Sequence, residues 1–201
     1  GTLDWVWALL LLGVLAAYPI RVARWRTPRD PELLAERQKG FRGRGVKSWD
    51  KWINLLNGVL MVASWVVAGL DLRFGWTGPV PLACHVGGLG AVALGFALFL
   101  WAMAYNAFFS EGVRIQEERG HVVASGGPYR VVRHPGYVGV ILAQLGTPFL
   151  LGSTWALIPS LALAVLVVVR TSLEDRTLLK ELPGYAEYAQ HTRFRLLPGV
   201  W

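Results

Sequence analysis

Two polar segments of this chain carry residue types that can do chemistry. The first runs from Gln116 to Gly139 and contains His121, Tyr129, His134 and Tyr137. Gly126, Gly127, Pro128, Pro135 and Gly136 punctuate it and prevent a continuous helix. The expected form is an irregular strap with exposed backbone donors and acceptors. Non-helical backbone at membrane depth survives only when it is buried in protein or lines a cavity. Such a strap is either a ligand cradle or an interfacial loop anchored by its His and Tyr, and composition weighs the two evenly. The second segment begins with Arg170 and Glu174, four residues apart and so on one helix face. Arg before Glu is the weaker order for a pair within one helix, which points both side chains to external partners. Asp175 and Arg176 are expected to point elsewhere, at the surface. A lone cysteine, Cys84, excludes an internal disulfide and a Cys-based metal cluster, and no metal site is expected.

The elements that must position these residues follow from hydropathy. The chain has 201 residues, of which 54% are hydrophobic and only 16% charged, against about a quarter charged in an ordinary soluble domain. Uncharged stretches span Trp5–Ile20, Trp52–Leu70, Phe74–Ser110 and Pro135–Val169. A membrane span needs roughly 20 helical residues. The first two stretches fit single spans, and the third a helix from about Pro81 to Phe109. The fourth is too long for one span. Gly146-Thr147-Pro148 and Gly152-Ser153-Thr154 interrupt it, which predicts a tight helical hairpin. The expected fold is therefore an all-α integral membrane domain over 1–201 with five transmembrane helices. Its chemistry lies in the half 106–201. The first stretch lacks a basic segment before it and a small-residue cleavage pattern after it, so it is expected to be a retained span.

Orientation follows from basic residues. With the N-terminus outside and the C-terminus inside, the segments 21–51, 106–135 and 170–201 face inward and hold every Lys and Arg except Arg73. The loop 21–51 carries half of them; Glu32–Lys39 suits a short surface helix, and the run Gly40–Gly45 a mobile connector. A net charge of +7 beside apolar segments points to anionic membrane lipids, not nucleic acid. Trp5, Trp7, Trp49, Trp52, Trp76 and Trp155 suit an interfacial belt. Gly87, Ala91 and Gly95 predict close helix packing. His85 is expected to pack, without a role.

The runs Gly-His-Val-Val, Gly-Pro-Tyr and Val-Arg-His-Pro-Gly-Tyr-Val-Gly, with Glu174-Asp175, Leu-Pro-Gly-Tyr-x-x-Tyr and Arg-x-Arg-x-x-Pro downstream, resemble the signature of the isoprenylcysteine carboxyl methyltransferase and phospholipid methyltransferase superfamily. The resemblance covers about the last hundred residues; the first hundred match only in hydropathy. It implies S-adenosylmethionine held on the cytosolic face between the strap and the last span. Carried over by residue, the cofactor contacts would be Gln116, His121, Val122, Val123, Ala124, Tyr129, His134, Pro135, Gly136, Tyr137 and Glu174. Arg170 would face the methyl acceptor, and Arg170 and Glu174 would form the catalytic pair. The acceptor would be lipophilic and enter from the bilayer, as an isoprenylcysteine-type carboxylate or else a phospholipid amine. A composition rich in Ala, Gly, Leu and Arg suits the inner membrane of a prokaryote. The rival activity is an NADPH-dependent membrane reductase of the sterol-reductase type. That enzyme is generally longer and needs extra donors for a pyrophosphate and a 2′-phosphate.

Overall fold

A computed structural model describes the backbone of residues 5–26 and 45–201, and side chains for 5–17 and 45–201. The expectations for Glu32–Lys39 and for the glycine-rich run up to Arg44 lie outside the described residues. The helices are α1 (Val6–Arg26), α2 (Ser48–Phe74), α3 (Leu82–Tyr105), α4 (Pro135–Leu151), α5 (Leu157–Glu181) and the short α6 (Tyr185–His191). Between α3 and α4 the chain forms an irregular strap with two short 3-10 turns, Glu117–Arg119 and Gly127–Arg130. The described residues contain no β-strand.

Three of these helices, α2, α3 and α5, are long and apolar enough to cross a membrane, while Val6–Ala17 and α4 are shorter apolar helices. Helix α2 shows how the sequence sorts its faces. Leu55, Leu56, Val59, Val62 and Val66 are exposed, whereas Asp50, Ser64, Ala68 and Asp71 are buried. Ser64, Ala68 and Asp71 follow one another at steps of four and three, and Asp50 lies about four turns before Ser64, so one stripe turns inward while the apolar remainder faces outward. In water this polarity would be inverted.

The fourth apolar stretch divides once. The Gly146-Thr147-Pro148 run does not interrupt the chain, and α4 continues through Pro148 to Leu151. The break falls at Gly152, which adopts a left-handed conformation with φ 75°. Ser153 lies just beyond it, and its hydroxyl hydrogen-bonds Asp71 at the end of α2. Thr77 also binds Asp71, through its backbone N–H (2.6 Å) and its hydroxyl (2.5 Å).

Helices α3 and α4 make the closest approach. A Cβ at Gly95 would lie 2.5 Å from the Gly139 carbonyl oxygen, and one at Gly88 only 2.2 Å from the Leu150 nitrogen. The small-residue face is therefore Gly88 and Gly95 against Gly139 and Gly146. Gly87 instead looks into open space, because one residue of helix rotation carries it off the contact. His85 packs on Trp7 (4.7 Å between ring centroids) and hydrogen-bonds the Leu150 carbonyl at 2.9 Å.

Gly95→Val is expected to force α3 from α4 against backbone that cannot yield, costing roughly 1–3 kcal/mol or more. Gly87→Val should be tolerated. Thermal unfolding of the two variants in one detergent checks this: a clear loss for the first only is expected, and equal behaviour would contradict the packing.

Candidate functional site

The strap, the C-terminal segment and α5 converge on one carboxylate. Asp175 is fully buried. It receives Arg133 Nε at 2.8 Å and Nη2 at 2.9 Å, Arg195 Nε at 2.8 Å, and the Tyr185 hydroxyl at 2.9 Å. His134 Nε2 lies 3.3 Å away. Asp175 is thus not a surface residue, as expected from sequence, but the knot of the site. Its partners come from 42 residues upstream and up to 20 downstream, which the local spacing could not reveal. Backbone bonds reinforce the knot: Arg133 N–H donates to the Phe194 carbonyl (2.9 Å) and His134 N–H to that of Arg195 (3.0 Å). Arg176 is exposed, as expected.

One turn further toward the N-terminus of α5, Arg170 is also buried. Its Nε donates to Asp50 Oδ1 at 2.8 Å and its Nη2 to Asp50 Oδ2 at 3.3 Å. Nη2 also reaches the Glu111 carbonyl at 2.5 Å. Asp50 is itself fully buried and accepts the Val113 N–H (2.8 Å) and Asn54 Nδ2 (3.0 Å). The guanidinium lies over the Tyr137 ring, 5.1 Å from its centroid, and Tyr137 donates its hydroxyl to Glu174. Both members of the Arg170/Glu174 pair therefore look to other helices, as their order predicts. Asp50 was missed because it lies 120 residues from its partner. The available signal was the spacing of Asp50, Asn54 and Asn57, polar residues on one face of an otherwise apolar helix.

A cavity of about 470 Å³ joins these groups. Its walls include His121, Val123, Ala124, Tyr129, His134, Gly136, Tyr137, Arg170 and Glu174. Three of the residues read from the resemblance, Gln116, Val122 and Pro135, do not line it. Gln116 is fully buried, with its amide spent on the Phe108 carbonyl (2.8 Å) and on Arg119 (2.6 Å). The Val122 side chain is exposed, because an extended segment turns alternate side chains outward. Pro135 is buried at the first position of α4, where its missing N–H costs nothing. Additional walls come from Asn54, Asn57, Asn106, Arg133, Tyr185 and Tyr188.

The strap suits a ligand. Among the described residues, the backbone of 121–125 makes no backbone–backbone hydrogen bond, so its donors and acceptors stay open. Gly127 fixes the strap against α3: its φ is +54°, and a Cβ there would meet the Tyr105 ring at 2.6 Å. His121 stacks on Phe108 (4.5 Å) and accepts the Gln116 N–H on Nδ1 at 3.3 Å, which leaves its proton on Nε2. Burial, then the positive charges of Arg114 and Arg119, push its pKa down to about 4. Burial first, then the Asp175 charge, pushes the Tyr185 phenol well up. Burial also takes Tyr188 up to about 12. The Tyr188 hydroxyl stays protonated and donates to the Tyr129 carbonyl at 2.7 Å.

Residues 88–180 match the isoprenylcysteine carboxyl methyltransferase (ICMT) family, a family of methyltransferases. The chain is also 33% identical over 138 residues to the cobalt-zinc-cadmium resistance protein CzcN of Cupriavidus metallidurans. That match covers 66% of this chain and 58% of the relative, less than two thirds of the relative's length.

Asp175→Ala would strand the buried Arg133 guanidinium and remove the partner of the half-buried Arg195, at a cost of roughly 3–5 kcal/mol. Thermal unfolding should show a large loss, and an unchanged midpoint would remove Asp175 from its central place. His121 binds its proton more weakly folded than unfolded. Its contribution to stability is therefore complete above the ordinary value of 6.5 and is lost as pH falls through about 4. Carbon NMR of ring-labelled histidine should give a His121 midpoint near 4; a midpoint at the ordinary value would refute the buried, cation-flanked ring.

Proposed function

Resembling the isoprenylcysteine carboxyl methyltransferase family over residues 88–180, the chain is, we propose, an S-adenosylmethionine-dependent methyltransferase acting on a lipophilic acceptor drawn from the membrane. One observation carries this reading. A single cavity is walled by the open-backboned strap, by the Tyr137–Glu174 pair and by Arg170, and it continues into an apolar limb between helices. The proposed frame is a five-span, N-out/C-in bundle with α4 and α5 as its hairpin and the cavity mouth at the cytosolic face of a prokaryotic inner membrane. The distribution of Lys and Arg supports it.

The residues present fit the donor. When bound, it supplies a methyl group activated on a sulfonium. Glu174, aligned by the Tyr137 hydroxyl, is placed to take its ammonium or ribose hydroxyls. His121 Nε2–H and the free backbone of 121–125 suit its carboxylate or adenine. Tyr129, Tyr185 and Tyr188 add aromatic faces, which attract cations. Methyl transfer is an in-line displacement, so alignment and exclusion of water carry much of the rate.

On the acceptor side, Arg170 Nη1 has no hydrogen bond from the described residues, while its other two nitrogens are held by Asp50 and Glu111. A guanidinium clamped in this way presents one aimed donor to a carboxylate. A carboxylate needs no general base, so we favour O-methylation; transfer to a lipid amine would need a base. A reductase with a phosphorylated dinucleotide fits less well. It needs cations for several phosphates, and Arg133, Arg170 and Arg195 are engaged by Asp175 and Asp50.

Labelled methyl transfer from S-adenosylmethionine into extracted host lipids and a prenylcysteine analogue tests the reading. Base-labile label is expected, and base-stable label would move the acceptor to an amine. Glu174→Gln should lose S-adenosylhomocysteine binding by calorimetry. Arg170→Lys should keep that binding and lose turnover on the order of a hundredfold. Undiminished transfer by both variants would overturn the site.

A further inference from the structure

The cavity does not end at Arg170. From the level of the Asp50–Arg170–Tyr137 cluster it descends along three helices at once. It reaches Asn57 and Met61 on α2, Val140 and Gln144 on α4, and Leu163 on α5. Asn57, Gln144 and Leu163 each lie seven residues beyond Asp50, Tyr137 and Arg170 respectively, about 10 Å of helix rise. The three helices agree on this depth, which places the limb well inside the apolar span.

Two amide groups sit in this otherwise apolar limb. Asn57 Oδ1 is the one buried side-chain polar atom without a hydrogen-bond partner among the described residues. Gln144, buried on α4, spends its amide nitrogen on Ser160 Oγ (3.3 Å), and Ser160 in turn shares a hydrogen bond with Ser64 Oγ (2.9 Å). A hydrocarbon chain filling the limb would leave the Asn57 amide oxygen unpaired in a low-dielectric setting, where an unmade hydrogen bond is most costly. An asparagine that served packing alone would be better replaced by leucine.

We propose that Asn57 and Gln144 form a specificity subsite for a hydroxyl borne partway along the acceptor's lipid chain, about 10 Å of helix rise from the reacting end. A hydroxyl both donates and accepts, so it satisfies the Asn57 amide in either orientation. This inference rests on the methyltransferase reading and adds the class of acceptor: a hydroxylated lipid, not a plain hydrocarbon chain.

The test uses the full chain in detergent with labelled S-adenosylmethionine. The acceptors are stearate, a hydroxystearate with its hydroxyl beside the carboxylate, one with its hydroxyl near mid-chain, and the matching amines. The mid-chain alcohol is expected to be favoured over the other two by about fivefold to tenfold in kcat/KM, chiefly through KM. Asn57→Leu should erase that preference by lowering the mid-chain alcohol to the level of stearate. Asn57→Ser, which restores a small hydroxyl partner, should recover part of it. S-adenosylhomocysteine binding reports that each variant is folded. Methylation without positional preference, or a preference surviving in folded Asn57→Leu, overturns the subsite while leaving the methyltransferase reading intact. Failure to methylate any of these chains or the host lipids would instead remove that reading, and the subsite with it.

Discussion

The Asp175 carboxylate is the constraint on which the site depends. It is buried, and it is bound by Arg133 in a two-point fork, by Arg195 and by Tyr185. The strap, the last long helix, the short α6 and the C-terminal segment all meet on one anion. Without that anion, the Arg133 guanidinium would be buried and uncompensated, and such a group is among the most destabilising features a fold can contain. An irregular strap has no hydrogen-bond ladder to hold its shape. A charge cluster at its end supplies the fixed point that a helix would supply through its backbone, and the open backbone of 121–125 stays free for a ligand.

The second fastening, Asp50 to Arg170, has a different consequence. It couples the N-terminal half, which carries no motif of its own, to the half that does. Lys47 and Glu181 repeat the connection at the membrane boundary with an ion pair at 2.7 Å. Helix α2 is therefore part of the site: it supplies the carboxylate that aims the guanidinium, and a wall of the limb below it.

Much of this was legible in the sequence, and the boundary is physical. The apolar helices were visible because span length and hydropathy are local properties, and α2, α3 and α5 appear where the runs predict. His121, Tyr129, His134, Tyr137 and Glu174, which the motifs pick out, share one cavity. Asp175 and Asp50 were not legible, because their meaning lies in partners far along the chain. The choice between Gly87 and Gly88 turned on one residue of helix rotation, which a pattern of small residues cannot fix. Pro148 misled for a related reason. Proline removes one N–H, but packing and a neighbouring turn can retain the helix, and here the chain breaks at Gly152 instead.

The distribution of charge argues for the kind of ligand the cavity accepts. Asp50 faces Arg170, and Asp175 faces Arg133 and Arg195, so two of the deep carboxylates are met by cations at 2.8 Å. Glu174 is not. It makes no ion pair among the described residues and has only the Tyr137 hydroxyl, yet it lines the cavity. A carboxylate on a cavity wall with no ion pair of its own is favoured by the arrival of a positive group. A donor bearing a sulfonium and an ammonium brings such groups, whereas a dinucleotide brings phosphates and would be disfavoured. The two cancelled carboxylates build the site, and the uncancelled one is left to meet the proposed donor.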